Sequence, residues 1–207
     1  MSAEAYDARL ARVADLAIGL SVLSWGVTGL WRAAPDERLC PARITLTALH
    51  LVVGALVLLR RPLVVRATLL ELAAGVPSFL AGGVAMSLAQ PLTAWPRLAE
   101  VLFVVGGAGV IASLVSLGRC FAILPGARGV VARGPYRLVR HPAYLCELVM
   151  LGGAAVAVGA PLGPAVLAAA ALLMALRIAA EERPLRRLDA YRDYAARVRW
   201  RLVPHLW

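Results

Sequence analysis

Long apolar stretches separated by short polar ones make up most of the chain. Apolar runs with few charges are typical of helices that cross a membrane, for which about 20 residues are needed. Six stretches qualify by composition, although several are shorter than that length. They are residues 16–31, 44–59, 69–89, 98–117, 142–158 and 165–180. The pattern therefore predicts an all-α integral membrane protein with five to six transmembrane helices.

The tail, residues 184–199, follows a different pattern. Its apolar side chains recur at helical spacing on one face, and arginines and aspartates occupy the other face. The apolar positions are Leu185, Leu188, Tyr191, Ala195 and Val198. This arrangement predicts a C-terminal amphipathic helix that lies in the membrane interface.

Composition supports a membrane protein and argues against nucleic-acid binding. The chain is 61% hydrophobic, far above the range of soluble domains, and its mean hydropathy is +0.76. Its net charge is +10, carried by arginine alone because the chain contains no lysine. The arginines lie between the apolar stretches, as the positive-inside rule describes, so we expect membrane lipids and not nucleic acid as partners.

The arginines also predict the topology. The loop 119–141 carries five of them and no acidic residue, and the loop 60–66 and the tail are basic as well. With six spans these three segments lie on one side of the membrane. We therefore expect a multi-pass protein of a bacterial cell membrane, with the loop 119–141 and the C-terminus in the cytoplasm.

Candidate chemistry begins where the basic loop meets the fifth apolar stretch. Pro142 suits the first position of a helix, so the helix begins next to His141 and holds Tyr144 one turn inside. Free amides and the helix dipole at such a terminus, together with Arg140, favour an anionic group such as a carboxylate. The alternative is that Arg140 and His141 only anchor the helix end among lipid headgroups.

A second polar cluster, Glu181 and Glu182, closes the sixth stretch. Carboxylates at the end of an apolar helix are costly unless they are solvated, paired or bound to a ligand. Arg177 lies four residues before Glu181, so a purely structural ion pair is one interpretation. If the fifth and sixth helices form a hairpin, His141 and Glu181 return to the same membrane surface. Cations and carboxylates would then share a pocket that suits a zwitterion such as S-adenosylmethionine.

The order and spacing of these motifs resemble a known family. The motifs are Gly134-Pro135-Tyr136, Arg140-His141-Pro142-x-Tyr144, Arg177-x-x-x-Glu181-Glu182-x-x-Leu185, Tyr191-x-x-Tyr194 and the terminal Arg201-x-x-Pro204. From about residue 117 to the C-terminus the chain resembles the isoprenylcysteine carboxyl methyltransferases and, more distantly, the phospholipid N-methyltransferases. We accordingly divide it into residues 1–117, transmembrane helices without a recognisable motif, and residues 118–207, a methyltransferase-like region.

The resemblance implies methyl transfer from S-adenosylmethionine at the cytosolic face, to a prenylated or otherwise lipophilic acceptor that arrives from the bilayer. It implies a cofactor pocket formed by Tyr136, Arg140, His141, Tyr144, Glu181 and Glu182. Glu147, on the same helix face as Tyr144, is a candidate for contact with the acceptor, although a solvated interfacial residue is the alternative. Arg177 is the other candidate for this contact. No catalytic residue is assigned; His141, Glu147 and Glu181 are the candidates for a general base.

Other features leave the acceptor open. The family often has glycine where this chain has Cys146 and, before the first tail tyrosine, where it has Asp189-Ala190. The Gly-x-Gly of the phospholipid enzymes is not evident at 116–119, which weakens the likeness to those enzymes. Because a bacterial chain would lack ordinary prenylated proteins, O- or N-methylation of a phenolic lipid, a quinone precursor or a phospholipid is the alternative.

Two further classes of protein remain. One is a non-enzymatic membrane scaffold or binding protein. The other, a nicotinamide-dependent reductase, ranks last because we find no dinucleotide fingerprint. The three cysteines and three histidines are scattered, so we expect neither a metal site nor a disulfide framework.

Overall fold

The computed structural model describes residues 3–207, with side chains from residue 9 onwards except Gly75, Val76 and Phe79. Seven α-helices account for most of the described chain. They are α1 (Ala3–Arg32), α2 (Pro41–Leu59), α3 (Leu69–Leu88), α4 (Arg97–Leu117), α5 (Pro142–Val158), α6 (Leu162–Leu185) and α7 (Asp189–Arg197). The all-α prediction is confirmed; only β1 (Val65–Arg66) and β2 (Gly126–Ala127), which pair antiparallel, add a short ribbon in the described residues.

Four of the described helices are long and apolar enough to cross a membrane. They are Arg9–Arg32, Pro41–Leu59, Arg97–Cys120 and Leu162–Leu185. α5 is apolar but has only 17 residues, and α3 contains the three residues whose side chains lie outside the described set. A multi-pass membrane protein therefore follows from the structure, whereas the number of five to six spans stays a prediction.

Small residues bring the helices of the bundle into close contact. A Cβ placed on Gly153 of α5 would lie 2.5 Å from the Ala99 carbonyl oxygen of α4, and α6 packs equally closely against α5 at Gly163. α4 crosses α5 at Gly106 and Gly109, as the glycine-rich sequence of α4 predicts. The α5–α6 pair thus forms the expected hairpin, α1 packs on α2, and α3 packs on α6.

Three of the predicted elements have wrong boundaries. α1 begins at Ala3, well before the predicted start at residue 16. α6 extends about one turn further at each end than residues 165–180, because prolines are tolerated in the first turn of a helix and Pro184 falls in the last turn. The tail does not form one helix over 184–199: α6 ends at Leu185, a turn follows, and α7 covers only Asp189–Arg197. The turn changes the phase of the helix, so Tyr194, which the predicted apolar face omitted, is buried beside Tyr191.

One end of the bundle, where α2 and α4 end and α5 begins, gathers the arginines of the basic loop; we call it the arginine-rich end. There Arg61 N donates to the Arg119 carbonyl oxygen at 2.8 Å, which joins the ends of α2 and α4. Arg60 pairs with Asp15 of α1, and Arg128 donates to the Arg61 carbonyl oxygen. These contacts fix the basic loop against the N-terminal helices.

Candidate functional site

A cavity of about 760 Å³ opens inside the arginine-rich end of the bundle. This volume lies within the range of small-molecule sites, about 300–1,000 Å³. In the basic loop, α5, α6 and α7, ten lining residues carry charges, ring nitrogens or phenols: Arg128, Tyr136, Arg140, His141, Tyr144, Glu147, Arg177, Glu181, Tyr191 and Tyr194. We call this part of the cavity the polar compartment. It contains five of the six residues that the sequence assigned to the cofactor, and both of those assigned to the acceptor.

The same cavity continues into an apolar compartment between α1, α2 and α4. Its lining is aliphatic and aromatic apart from Ser21 and His50: Ala17, Ile18, Ser21, Val22, Trp25, Leu49, His50, Val53, Val110, Leu114 and Leu117. Trp25 lines the cavity although it is 64% exposed on the outer face of α1. The cavity therefore reaches the outer surface of the helix bundle, which faces the hydrocarbon core of the membrane.

The start of α5 sets the position of the motif residues. Pro142 occupies the first helical position, and His141 before it leaves the helical conformation with φ −127° and ψ 57°. The backbone here is held by the C-terminal segment, because Arg140 N donates to the Trp200 carbonyl oxygen at 2.9 Å and His141 N to that of Arg201 at 2.8 Å. The terminal Arg-x-x-Pro motif thus positions the Arg-His-Pro motif.

Tyr144 lies between two cationic or ionisable groups. The His141 ring stacks on one face, with centroids 5.5 Å apart and planes 8° from parallel, and the Arg177 guanidinium carbon lies 4.7 Å from the ring centroid. The phenol donates a hydrogen bond to Glu181. The expected meeting of the loop and the Glu-Glu motif is therefore present, through Tyr144.

Arg177 is only 5% exposed and connects three elements. Its guanidinium donates to Ser78 Oγ of α3 at 3.3 Å and to the Ile123 carbonyl oxygen of the basic loop at 3.2 Å. Glu147 and Glu181 line the cavity near it. A buried guanidinium beside two carboxylates gives this part of the polar compartment both signs of charge.

Glu182 differs from Glu181, because it contributes no lining surface among the described residues and is only 2% exposed. One of its oxygens accepts from His141 Nε2 at 3.3 Å and Tyr191 OH at 3.2 Å. The other accepts from Arg186 Nη2 at 3.1 Å and Arg201 Nε at 3.2 Å. Glu182 therefore connects the segments of the cavity wall on the side that faces away from the cavity. Its contact with a cofactor stays a prediction.

Three further lining residues were absent from the predicted site: Arg128, Tyr191 and Tyr194. The spacing Tyr191-x-x-Tyr194 was the only signal in the sequence for the two phenols. Burial raises the pKa of Tyr191 above its ordinary value and that of Tyr194 to about 12, so both phenols stay protonated and donate hydrogen bonds. Tyr194 donates to the Tyr136 carbonyl oxygen at 2.8 Å, which joins α7 to the loop. Burial likewise raises the pKa of Tyr136.

Comparison with known proteins agrees with this geometry. None of the curated proteins matches the chain. The model of the isoprenylcysteine carboxyl methyltransferase (ICMT) family matches residues 99–187, somewhat less than half of the chain. This stretch includes α4 except for its first two residues, the basic loop, the α5–α6 hairpin and both candidate motifs. Residues 99–187 are therefore similar to the isoprenylcysteine carboxyl methyltransferase family.

Proposed function

We propose that this protein is an integral membrane methyltransferase that moves the methyl group of S-adenosylmethionine to an oxygen of a lipophilic acceptor. The observation that carries the proposal is the single cavity that joins a charged, aromatic compartment to an apolar one. A polar cofactor and an apolar acceptor require such neighbouring compartments if they are to meet away from water.

The polar compartment fits a zwitterionic cofactor. Arg140 lines it and forms an ion pair with Glu182, since its Nε lies 3.3 Å from Glu182 Oε1. A guanidinium carries five N–H donors, so Arg140 binds a cofactor carboxylate with those that do not face Glu182, and Glu181 binds an ammonium group. Tyr136 and Tyr144 offer aromatic surface beside them. When bound, S-adenosylmethionine supplies an electrophilic methyl group on a sulfonium.

The apolar compartment fits the acceptor. Its helices lie before or at the start of the family match, and its lining offers aliphatic contact for a prenyl or alkyl chain. The exposed edge at Trp25 is a path from the bilayer. By likeness to the family, a prenylated cysteine carboxylate is the first candidate, and it needs no general base because it is already ionised. A phenolic lipid or quinone precursor is the second candidate.

The proposal includes an arrangement in the membrane. The arginine-rich end faces the cytoplasm, with the loop 119–141 and the C-terminus, which places the polar compartment where soluble cofactor is present. Residues 1–117 then supply the acceptor compartment, and residues 118–207 supply the cofactor compartment. α4 contacts α2 in the first part and α5 in the second, which agrees with a family match that begins at residue 99.

Calorimetry of S-adenosylmethionine binding to the full chain in detergent tests this function. We expect wild-type protein to bind, and His141→Ala and Glu181→Gln to weaken binding about tenfold or more, since each removes a group at the polar compartment. Glu100→Gln, in the first turn of α4 and outside the cavity, is the matched control and should bind normally.

The remaining outcomes separate the alternatives. Binding that neither His141→Ala nor Glu181→Gln affects would place the cofactor elsewhere. If the wild type binds no S-adenosylmethionine, the methyltransferase proposal is wrong and a non-enzymatic scaffold or binding protein is favoured.

A further inference from the structure

A histidine from the N-terminal helices, outside the family match, lines the cavity at the level of its polar groups. His50 lies near the middle of α2, and of the lining residues described for α1, α2 and α4 it is the one with a titratable side chain. Ionisable residues inside a membrane span are costly and are commonly functional. We propose that His50 binds the polar head of the acceptor and selects acceptors that carry a hydroxyl hydrogen, a refinement that rests on the proposed function.

The tautomer of His50 follows from its hydrogen bond. Its Nδ1 lies 2.7 Å from the Leu46 carbonyl oxygen, one turn earlier in the same helix. A carbonyl oxygen only accepts, so Nδ1 carries the hydrogen, and in the neutral ring Nε2 holds a free lone pair. No described residue hydrogen-bonds to Nε2. The ring therefore offers an acceptor with a fixed orientation in the cavity.

The height of His50 in the bundle follows from its neighbours. Gly107 of α4 faces both Thr45 of α2 and Met150 of α5, because a Cβ there would meet Thr45 Cγ2 and lie 3.6 Å from Met150 Sδ. Along α2, His50 follows Thr45 by five residues. At the rise per residue of an α-helix, this places His50 about 7.5 Å closer to the arginine-rich end. Along α5, Glu147 lies about 4.5 Å and Tyr144 about 9 Å from Met150, both towards the same end of the bundle. His50 thus lies between the levels of Glu147 and Tyr144.

The position of His50 is set by α1 as well as by α2. A Cβ on Gly26 would lie 2.9 Å from His50 Cβ, so glycine allows α1 to cross close beside the histidine. Val53, one turn further along α2, and Val110 of α4 line the same cavity with aliphatic surface. In such surroundings a hydrogen bond to the acceptor has little competition from water, and an acceptor without a donor leaves Nε2 unsatisfied.

The chemistry of Nε2 decides the class of acceptor. A lone pair attracts the hydrogen of a phenol or alcohol and offers nothing to an ionised carboxylate, which has no hydrogen to donate. His50 therefore favours a lipid-soluble phenol or alcohol over a preformed carboxylate. The residue acts in binding and positioning; the methyl donor lies beyond it in the polar compartment.

The test compares two probes that differ in one hydrogen-bond donor: 4-dodecylphenol and its methyl ether. Binding of each is measured by calorimetry in detergent micelles, with the full chain saturated with S-adenosylhomocysteine. We expect the wild type to prefer the phenol roughly five- to tenfold, and His50→Phe to bind both probes alike. His50→Gln, whose amide oxygen still accepts, should restore part of the preference.

Val53→Ala is the matched control, because it removes apolar contact from the same wall of the cavity and no hydrogen bond. This variant should bind both probes more weakly, by the same factor, and keep the preference for the phenol. S-adenosylmethionine binding to His50→Phe should equal that of the wild type, which shows that the variant is folded.

Failure of the inference and failure of the proposed function give different results. If the wild type binds both probes alike, or His50→Phe still prefers the phenol, the role of His50 is overturned while cofactor binding stands. If the wild type binds no S-adenosylmethionine, the methyltransferase proposal fails. The two probes are then compared without S-adenosylhomocysteine, and this comparison still decides whether His50 recognises a hydroxyl group.

Discussion

Two adjacent glutamates at the end of α6 have different surroundings. Glu181 lines the cavity and accepts a hydrogen bond from Tyr144. Glu182 points to the opposite side, where Arg140, Arg186 and Arg201 surround it within 3.3 Å. Neighbouring helical positions are about 100° apart, so Glu181 faces the cavity and Glu182 faces the protein. We propose that the first binds the cofactor, whereas the second holds the structure together.

Substitution of Glu182 by Gln should mainly reduce stability. The Glu182 side chain is 3% exposed, and removal of its charge leaves the buried Arg140 without its counter-ion, which costs about 3 kcal/mol. Thermal unfolding in detergent should show a clear fall in the midpoint for Glu182→Gln. Glu181→Gln, the neighbouring control, should unfold close to the wild type while losing cofactor affinity. Equal midpoints for the two variants would contradict this division.

The sequence alone identified the glutamate pair but not the separate roles of its members. Spacing brought Glu181 and His141 to one membrane surface, and that prediction needed only a hairpin. The partners of Glu182 come from four separate segments, and no local pattern encodes their meeting. His50 is a similar case, because a lone histidine in an apolar helix becomes interesting only when packing opens a cavity beside it.

Contact between α4 and α5 gives a prediction at the scale of elements. Gly152 and Gly153 are neighbours on α5, yet a Cβ on Gly153 would press on the α4 backbone, 2.7 Å from Phe103 N, whereas a Cβ on Gly152 would have no atom within 4 Å. Gly153→Ala should therefore destabilise the protein by roughly 1–3 kcal/mol. Gly152→Ala should leave stability unchanged or slightly raised. Midpoints of thermal unfolding measure both, and a milder effect at Gly153 than at Gly152 would show that the two helices are further apart.

The helices themselves were largely predictable, since five of the six apolar stretches end within two residues of a proline, a glycine or an arginine, and the sixth ends at Glu181 and Glu182. α5 has the predicted bounds, and α2 and α4 differ from them by at most three residues. The tail was harder. Leu185 and Leu188 continue the apolar pattern of α7 in sequence, but Leu185 belongs to α6 and a turn intervenes. A periodicity that runs across a turn assigns the wrong face, which is why the burial of Tyr194 was missed.

At the scale of the whole molecule, an ion pair adds to the packing of α4 on α5 and of α3 on α6 that joins the parts before and after the basic loop. Glu71, 5% exposed at the start of α3, accepts from Arg187 Nη2 at 2.7 Å, and Arg187 Nη1 donates to the Arg66 carbonyl oxygen at 3.0 Å. Arg187 lies in the turn between α6 and α7. It therefore connects α3 and β1 to the segment that carries Tyr191 and Tyr194 into the cavity. None of this follows from sequence, because the partners are more than 100 residues apart.

Loss of this connection should loosen α7 and, through it, the cavity. Arg187→Gln leaves the buried Glu71 with only its capping contacts to Thr68. We expect a cost of about 1–2 kcal/mol, less than for a fully buried pair because the Arg187 side chain is 44% exposed. Amide hydrogen exchange should become faster over 189–197, and S-adenosylmethionine should bind a few-fold more weakly, since two phenols of the polar compartment stand on α7.

Arg197→Gln is the control for this prediction, because the exposed Arg197 donates through Nε to the Asp193 carbonyl oxygen within α7 itself, at 3.3 Å, and forms no hydrogen bond with another described helix. Its exchange and binding should match the wild type. If Arg187→Gln behaved in the same way, the tail would be held by Glu182 and the tyrosines alone. The N-terminal helices would then influence the cofactor only through the basic loop, where Asp15 and Arg60 meet Arg128. Faster exchange confined to Arg187→Gln would instead show that α3 supports the site from a distance.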